Sequence, residues 1–351
     1  MTTTTCDAWF LDHLVCPADH GALQLDSDSL ACAAGHRFPI VDGVPVMLLD
    51  DTPVTMAGTE HSLRRARGES LDARNPQLYL ESLGISDDEK SGVVKLAQRR
   101  GPIDPVVAYL VAATNGLMYR HLTGTLDRYP IPDIPLPDGA GRLLLDVGCS
   151  WGRWSLAAHA KGYVVAGIDP SLGAVMAARR VARQLGAPNR YVVGDARCLP
   201  FAPGLFDVAY SYSVLQHFSR AAAALAVQEM ARVLKAGGMA KVQMPTRLGI
   251  RCLYHQARRR FREGVGFEVR YWSLGELRRL FNASIGHSRF EVDGYFGIGL
   301  QASDATLMPP RLRRALHASQ ALKAASRSLP VLRWVADSVF VVSAKPIAPS
   351  P

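Results

Sequence analysis

The sequence predicts an α/β protein, a doubly wound and mostly parallel sheet preceded by a small amino-terminal β module. Three observations predict it. From Arg142 onward, strand-like runs (LLLDVG, VVAGID, RYVVGDA, FDVAYSYS, MAKVQMP) alternate with helical ones (WSLAAHAKG, LGAVMAARRVARQLG, RAAAALAVQEMARVLKAGG). Such alternation is what strands buried on both faces by crossover helices produce. The first fifty residues instead break into short apolar runs divided by turn residues (LDHLVCP, GALQLD, SLACAAGHRFPI, VDGVPVMLL), which is the rhythm of a small β unit. Finally, 351 residues with 48% hydrophobic and 20% charged side chains suit a globular core plus attachments and exclude a disordered or fibrous chain.

Taken in order, residues 1–52 form the β module. Residues 53–140 turn polar, with Thr52 and Pro53 at the boundary and Gly58, Arg64, Arg65 and Arg67 following, and read as a linker with packing helices. Short helical patterns lie around Leu78 to Leu83 and Val93 to Arg99, and a longer helix is expected from Pro105 to Leu126. The four prolines of YPIPDIPLPDGAG end it, because proline lacks the N–H that a helix interior needs. Residues 141–351 are the main domain, interrupted by basic insertions at 246–272 and 299–335.

No run approaches the roughly 18 apolar residues of a membrane span, and the start MTTTTCDAWFLDH has no basic segment leading into an apolar one. The expectation is a cytoplasmic protein without a transmembrane segment. Six scattered cysteines fit free thiols in a reducing compartment. The net charge of +9 is uneven: residues 240–351 carry 18 Lys and Arg against 7 Asp and Glu. That basic third can hold an anionic substrate, a nucleic acid or a membrane surface, or can simply be a solvated exterior.

The informative stretch is Leu143-Leu144-Leu145-Asp146-Val147-Gly148-Cys149-Ser150-Trp151-Gly152, a buried strand entering a glycine turn and then a helix. At the carboxyl end of a parallel strand, Gly148 and Gly152 let the backbone approach a ligand, and the free N–H groups of the helix start suit an anion. A dinucleotide fingerprint would need glycine at 150 and 153, where this chain has Ser150 and Arg153. Two further acids end the next two strands, Asp169 in YVVAGIDPS and Asp195 in YVVGDARCLPF. Carboxylates so placed can accept hydrogen bonds from a nucleoside.

Asp146, Gly148 and Gly152 with GDAxxLPF and the later VLKAGG resemble the class I methyltransferase signature, with Ser150 departing from its central glycine. The likeness covers residues 141 to 245 and runs loosely to about 345, where DSVFVVSAK resembles the final, antiparallel strand of a seven-stranded sheet. The resemblance implies S-adenosyl-L-methionine as cofactor. It implies a binding set of Asp146, Gly148, Cys149, Ser150, Gly152, Asp169, Pro170, Asp195, Ala196 and Ser213, with Asp169 on the ribose hydroxyls, Asp195 on the adenine amino group and Ala196 on the ring.

Methyl transfer from a sulfonium needs alignment and exclusion of water more than catalytic side chains. For a hydroxyl or acidic carbon, a general base helps, and His217 in SVLQHF, just past the fourth strand, is the first candidate. Packing against the cofactor is its alternative role; Tyr212 and His255 are weaker candidates. The fourth strand lacks the Asn/Asp-Pro-Pro-aromatic sequence of amino-nitrogen methyltransferases, which by that comparison favours oxygen or carbon acceptors on a small-molecule or lipid-linked substrate. An rRNA guanine methyltransferase and a non-catalytic partner-binding subunit are the competing readings. Segment 246–272 mixes aromatics with Arg258, Arg259, Arg260 and Arg262, as a lid would. In the second insertion, Leu312, Leu316 and Leu322 share one side of a helix that can pack on the core or rest on a lipid surface. Oligomeric state is not set by the sequence.

Residues 11–50 resemble the small zinc-ribbon protein that activates tRNA and protein methyltransferases, through LDHLVCP, GALQL, LAC and FPIVDGVPVMLLDD. That family's paired C-x2-C knuckles are replaced here by Cys16-x3-His20 and Cys32-x3-His36. Two thiolates and two imidazoles can complete a zinc tetrahedron, and a module that packs without metal is the alternative.

Overall fold

A computed structural model describes residues 6–50, 57–69, 72, 74–99, 101–297 and 300–347. The boundary expected at 52 and 53, and Gly299 at the start of the second insertion, lie outside the described residues.

The amino-terminal module opens with helix α1 (Ala8–His13) and continues as a four-stranded antiparallel sheet in the order β1 (Leu23–Asp26), β2 (Ser29–Cys32), β3 (Arg37–Val41) and β4 (Val44–Pro45). Helices α2 (Ala57–Ala66), α3 (Asp87–Gln98) and α4 (Pro105–Asn115) follow. Ser86 and Glu89 cap α3 reciprocally, and Asp104 caps α4 with Pro105 at its first turn. The helix expected to run to Leu126 is broken. Gly116 takes φ 106, which no helix allows, and the chain resumes as a 3-10 turn over Leu117–Leu122.

The main sheet contains β5 (Leu143–Val147), β6 (Val164–Asp169), β7 (Arg190–Val193), β8 (Phe206–Ser211), β9 (Leu234–Pro245), β10 (Ser288–Gly294) and β11 (Ser338–Ala344), in the spatial order β10-β11-β9-β8-β5-β6-β7. Strands β5 to β9 pair in parallel, and β11 lies antiparallel to both β9 and β10. Between them run α5 (Arg153–Ala160), α6 (Leu172–Gln184), α7 (Arg220–Val233), α8 (Ile250–Arg258), α9 (Leu274–Ser284) and α10 (Pro310–Ala325). Strands β5, β6 and β7 extend one way and β8 and β9 the other, so the strand order reverses between β5 and β8. The carboxyl ends at such a reversal open a crevice where ligands bind.

The module is fused to the open edge of this sheet. Val46 pairs in parallel with Val193 of β7, the Met47 N–H donates to the Val193 carbonyl at 2.7 Å, and Leu14 bridges to Phe201. Phe10, Leu14, Leu30, Phe38 and Met47 belong to the same buried cluster as Val192 and Phe201. The last strand of the nucleotide-type sheet is therefore covered and paired.

Candidate cofactor site and active site

The loop after β5 is built from unusual backbone. Gly148, Ser150 and Gly152 all take positive φ, at 76°, 47° and 83°. A Cβ at position 148 would lie 2.2 Å from a Val214 methyl, and one at 152 would lie 2.7 Å from the Tyr191 hydroxyl. Glycine at 148 is thus what lets the loop after β8 close on the loop after β5. Ser213, beside Val214, is also left-handed, with φ 59. Two non-glycine residues, one on each of the loops that meet at the strand reversal, are held in this sparsely populated region, the kind of strain that binding sites concentrate.

Asp169 ends β6 between two donors. The Ser150 N–H reaches Oδ2 and the Ser171 N–H reaches Oδ1, both at 3.0 Å. Burial lifts this carboxyl to about 6, against the pull of those donors. The Ser150 hydroxyl beside it is buried and has no partner among the described residues. Pro170 follows, its carbonyl accepting from the Ser62 hydroxyl at 2.8 Å. Asp146 ends β5 fully buried, takes the Ser155 hydroxyl of α5 at 2.6 Å, and is raised by burial to about 7. Burial also drives the Cys149 thiol well above its usual range.

Asp195, past β7, is held by the Arg197 fork, with Nε on Oδ1 at 2.8 Å and Nη2 on Oδ2 at 2.6 Å, while Ala196 is buried beside it. Ser213 places its N–H and hydroxyl 3.0 and 3.2 Å from Gln243 Oε1, and the Gln243 amide nitrogen is buried without a partner among the described residues. The ten positions expected to surround a nucleoside therefore gather at the carboxyl ends of β5, β6, β7 and β8. A pliant glycine cradle, an oriented carboxylate and two orphaned polar groups, Ser150 Oγ and Gln243 Nε2, fit a polar nucleoside ligand.

His217 lies in the 3-10 turn Leu215–His217. Its ring stacks on Phe267 at 3.8 Å and Nδ1 meets the Phe267 carbonyl at 2.7 Å. Only a protonated Nδ1 can donate there, so the neutral ring presents Nε2 as acceptor, 3.2 Å from Gln216 Nε2. Burial lowers this imidazole to about 4. His255 stands exposed on α8, whereas Tyr212 is drawn inward: its hydroxyl donates to Asp293 at 3.0 Å and accepts from Gln301 Nε2 at 2.7 Å.

Two features had no local signal in the sequence. Arg153, the first residue of α5, forms a buried ion pair with Asp304 of the second insertion, and the Tyr119 hydroxyl donates to the same carboxylate. Asp293 and Gln301 join Tyr212 in an adjoining network. The partners lie far apart along the chain, so no spacing announces them; the one clue was an arginine directly after the glycine turn.

The amino-terminal cluster also differs from expectation in one ligand. Cys16, Asp19, Cys32 and His36 offer donor atoms within 4.8 Å of one another. His36 Nδ1 lies 3.4 Å from Cys16 Sγ, 3.2 Å from Cys32 Sγ and 3.5 Å from Asp19 Oδ2. His20 is not among them. Its backbone is left-handed, with φ 58, and its ring is turned to Glu229 of α7 at 3.8 Å. Asp19, in the place of a ribbon's second cysteine, stands in for it. Burial raises the Cys16 thiol to about 11, whereas at Cys32 the N–H donors of His36 and Ala34 outweigh burial and lower it.

A reversed parallel sheet with one antiparallel strand and a glycine cradle backed by strand-end acids defines a class I S-adenosylmethionine-dependent methyltransferase domain. Residues 144–238 match the family model of the methyltransferase domain. A malonyl-(acyl-carrier protein) O-methyltransferase of Serratia marcescens is 35% identical over 99 residues, which cover 28% of this chain and 36% of that one. The biotin biosynthesis bifunctional protein BioHC of Cellvibrio japonicus is 28% identical over 53% of this chain and 33% of its own length. The chain thus spans about a third of these methyltransferase relatives. The amino-terminal region matches a UPF0434 protein of Burkholderia thailandensis, 45% identical over 56 residues, 15% of this chain and 82% of that one. A solved complex of the Haloferax volcanii Trm112 methyltransferase activator with a methyltransferase aligns at 20% identity and a TM-score of 0.42, over 62% of this chain and 87% of that one.

Proposed function

We propose that the protein methylates an oxygen or carbon of a small-molecule or lipid-linked acceptor. The observation that supports methyl transfer is the seating of Asp169 between the Ser150 and Ser171 N–H groups at the strand reversal, which suits a carboxylate that accepts from the ribose hydroxyls of the methyl donor. S-adenosylmethionine, when bound, supplies an electrophilic methyl group and departs as a neutral thioether. Asp146 braces α5 through Ser155, and the positive-φ loop from Gly148 to Gly152 presents backbone to the amino-acid end. Asp195 and Ala196 flank the base.

Tyr212, at the tip of β8 and hydrogen-bonded to Asp293, orients the acceptor. Neutral His217 takes a proton at Nε2 after release from Gln216. A base lowered to about 4 suits an acceptor that is already acidic, since proton transfer to it from an ordinary alcohol is steeply uphill. The name of the Serratia relative supports oxygen, and a carboxylate acceptor would need no proton removed at all.

The amino-terminal cluster supports a structural zinc held by Cys16, Asp19, Cys32 and His36. Tetrahedral zinc with bonds of about 2.0 to 2.3 Å separates its ligands by roughly 3.3 to 3.8 Å, close to the spacings found here. Elemental analysis of purified protein should give one zinc per chain, lost in Cys16→Ser. Transfer of isotope from labelled S-adenosylmethionine to a metabolite or lipid extract tests the enzymatic reading. Label in RNA alone would replace it with the guanine methyltransferase reading, and label in none would favour a non-catalytic subunit.

A further inference from the structure

Helix α8 is turned the wrong way round for a protein in water. Its buried positions are Cys252 and Gln256, and Gln256 spends its amide on the Arg247 and Cys252 carbonyls. Its apolar positions Ile250, Leu253 and Tyr254, spaced along one face, point to solvent. The next surface element repeats the pattern: the 3-10 turn Pro330–Trp334 and the residue after it expose Val331, Trp334 and Val335. These six side chains are between 38% and 69% exposed.

The two elements adjoin. The Arg251 and Cys252 N–H groups at the start of α8 both donate to Asp337 Oδ1, and Thr246, just before it, donates to the Ala336 carbonyl. A Cβ on Gly249 would lie 2.5 Å from Asp337 Cα. The two exposed sets thus flank one junction, Ile250 beside the Gly249–Asp337 contact and Val335 two residues before Asp337, and make a candidate apolar ridge with an aromatic on each element. Arg258 lies over the Tyr254 ring at 5.8 Å, Arg260 follows α8 two residues on and Arg333 is within the 3-10 turn, none of the three ion-paired among the described residues, in the part of the chain that holds the positive charge.

We propose that this ridge docks the protein on the surface of an anionic phospholipid bilayer. Aliphatic and aromatic side chains at the crest enter the boundary between headgroups and acyl chains, and the surrounding guanidinium groups meet lipid phosphates. Charge complementarity selects this occupant. A second copy, related by a two-fold axis, would set the arginines against their own images. An RNA would meet an apolar crest that pairs with neither phosphate nor base edge. Helix α10, the lipid candidate from the sequence, is instead committed to the fold: Leu316 is buried, and Leu312 and Leu322 pack against core clusters. Docking through this surface does not depend on methyl transfer.

Flotation of the full-length protein with vesicles tests it, without cofactor and at physiological salt. Vesicles of phosphatidylcholine with about a third phosphatidylglycerol should carry the protein at least about ten-fold better than phosphatidylcholine alone, as several juxtamembrane arginines require. Leu253→Asp and Trp334→Ala, both on the surface, should each cut that binding about ten-fold while leaving the melting temperature unchanged; Arg258→Gln with Arg260→Gln should remove the preference for the anionic lipid. Failure to float with either vesicle overturns the proposal. So does binding that ignores both apolar substitutions, which would be charge alone, or a concentration-dependent dimer dissolved by Leu253→Asp, which would assign the ridge to a second copy.

Discussion

At Asp169, two backbone N–H groups from opposite sides fix the carboxylate before any ligand arrives. Asp169→Ala should weaken cofactor binding by about 1 to 3 kcal/mol in calorimetry, the worth of hydrogen bonds to a charged group. Because burial raises this carboxyl from 3.8 to about 6 in the free protein, and ribose hydroxyls donate to the ionised form, affinity should fall as pH drops through 6. At pH 5 about a tenth of the groups are ionised, so the dissociation constant should be about ten-fold larger than at pH 8, and Asp169→Asn should lose that dependence. Folding stability runs oppositely. Asp146 and Asp169 hold their protons more tightly folded than unfolded, so their contribution is fully present below pH 3.8 and declines as pH rises to about 7. His217→Ala should lower turnover and leave cofactor affinity alone; unchanged turnover would leave the ring as packing under Phe267. The strand-end acids were legible because a buried strand and a glycine turn fix where an acid must sit. The exchange of His20 for Asp19 was not, since spacing names residue types but not which way a left-handed turn aims them.

The elements follow the same division. Strands and crossover helices of the sheet could be read from periodicity, for their pattern is set locally by what each face buries. Helix α4 could be read at its start, where Asp104 and Pro105 are local signals, but not at its end, where a single glycine outweighed the apolar pattern that continues to Leu126. The tie between α5 and the second insertion could not be read from any spacing along the chain. Arg153 and Asp304 are both buried, and Tyr119 adds a hydrogen bond from the 3-10 turn after α4, so three elements close on one carboxylate. Removing one partner strands a charge away from water. Asp304→Ala should therefore cost about 3 to 5 kcal/mol in urea unfolding, while the apolar double variant Arg153→Met with Asp304→Leu should recover much of that loss. Equal loss in both would show that volume, not charge, secures the insertion.

At the scale of the molecule, the amino-terminal module is part of the sheet's hydrophobic core and not a bead on a linker. Sequence showed a separate unit because its strands are short and its turns frequent; which edge it would cover depends on pairings such as Val46 with Val193, which no local pattern encodes. Without the module, β7 would present unpaired N–H and C=O groups beside Val192 and Phe201, now covered by Phe10, Leu14 and Met47. An exposed, apolar edge strand is a template for aggregation. Each large side chain returned to water forfeits about 1.5 to 3 kcal/mol, so losing three such contacts matches the stability of many whole domains. A chain beginning at residue 57 should consequently be insoluble or aggregate on purification, and supplying residues 1 to 50 as a separate polypeptide during expression should restore soluble complex. If the shortened chain instead runs as a stable monomer in size-exclusion chromatography with its melting temperature intact, the module is a tethered accessory, and the continuity of the core across Val46 and Met47 contributes nothing to folding.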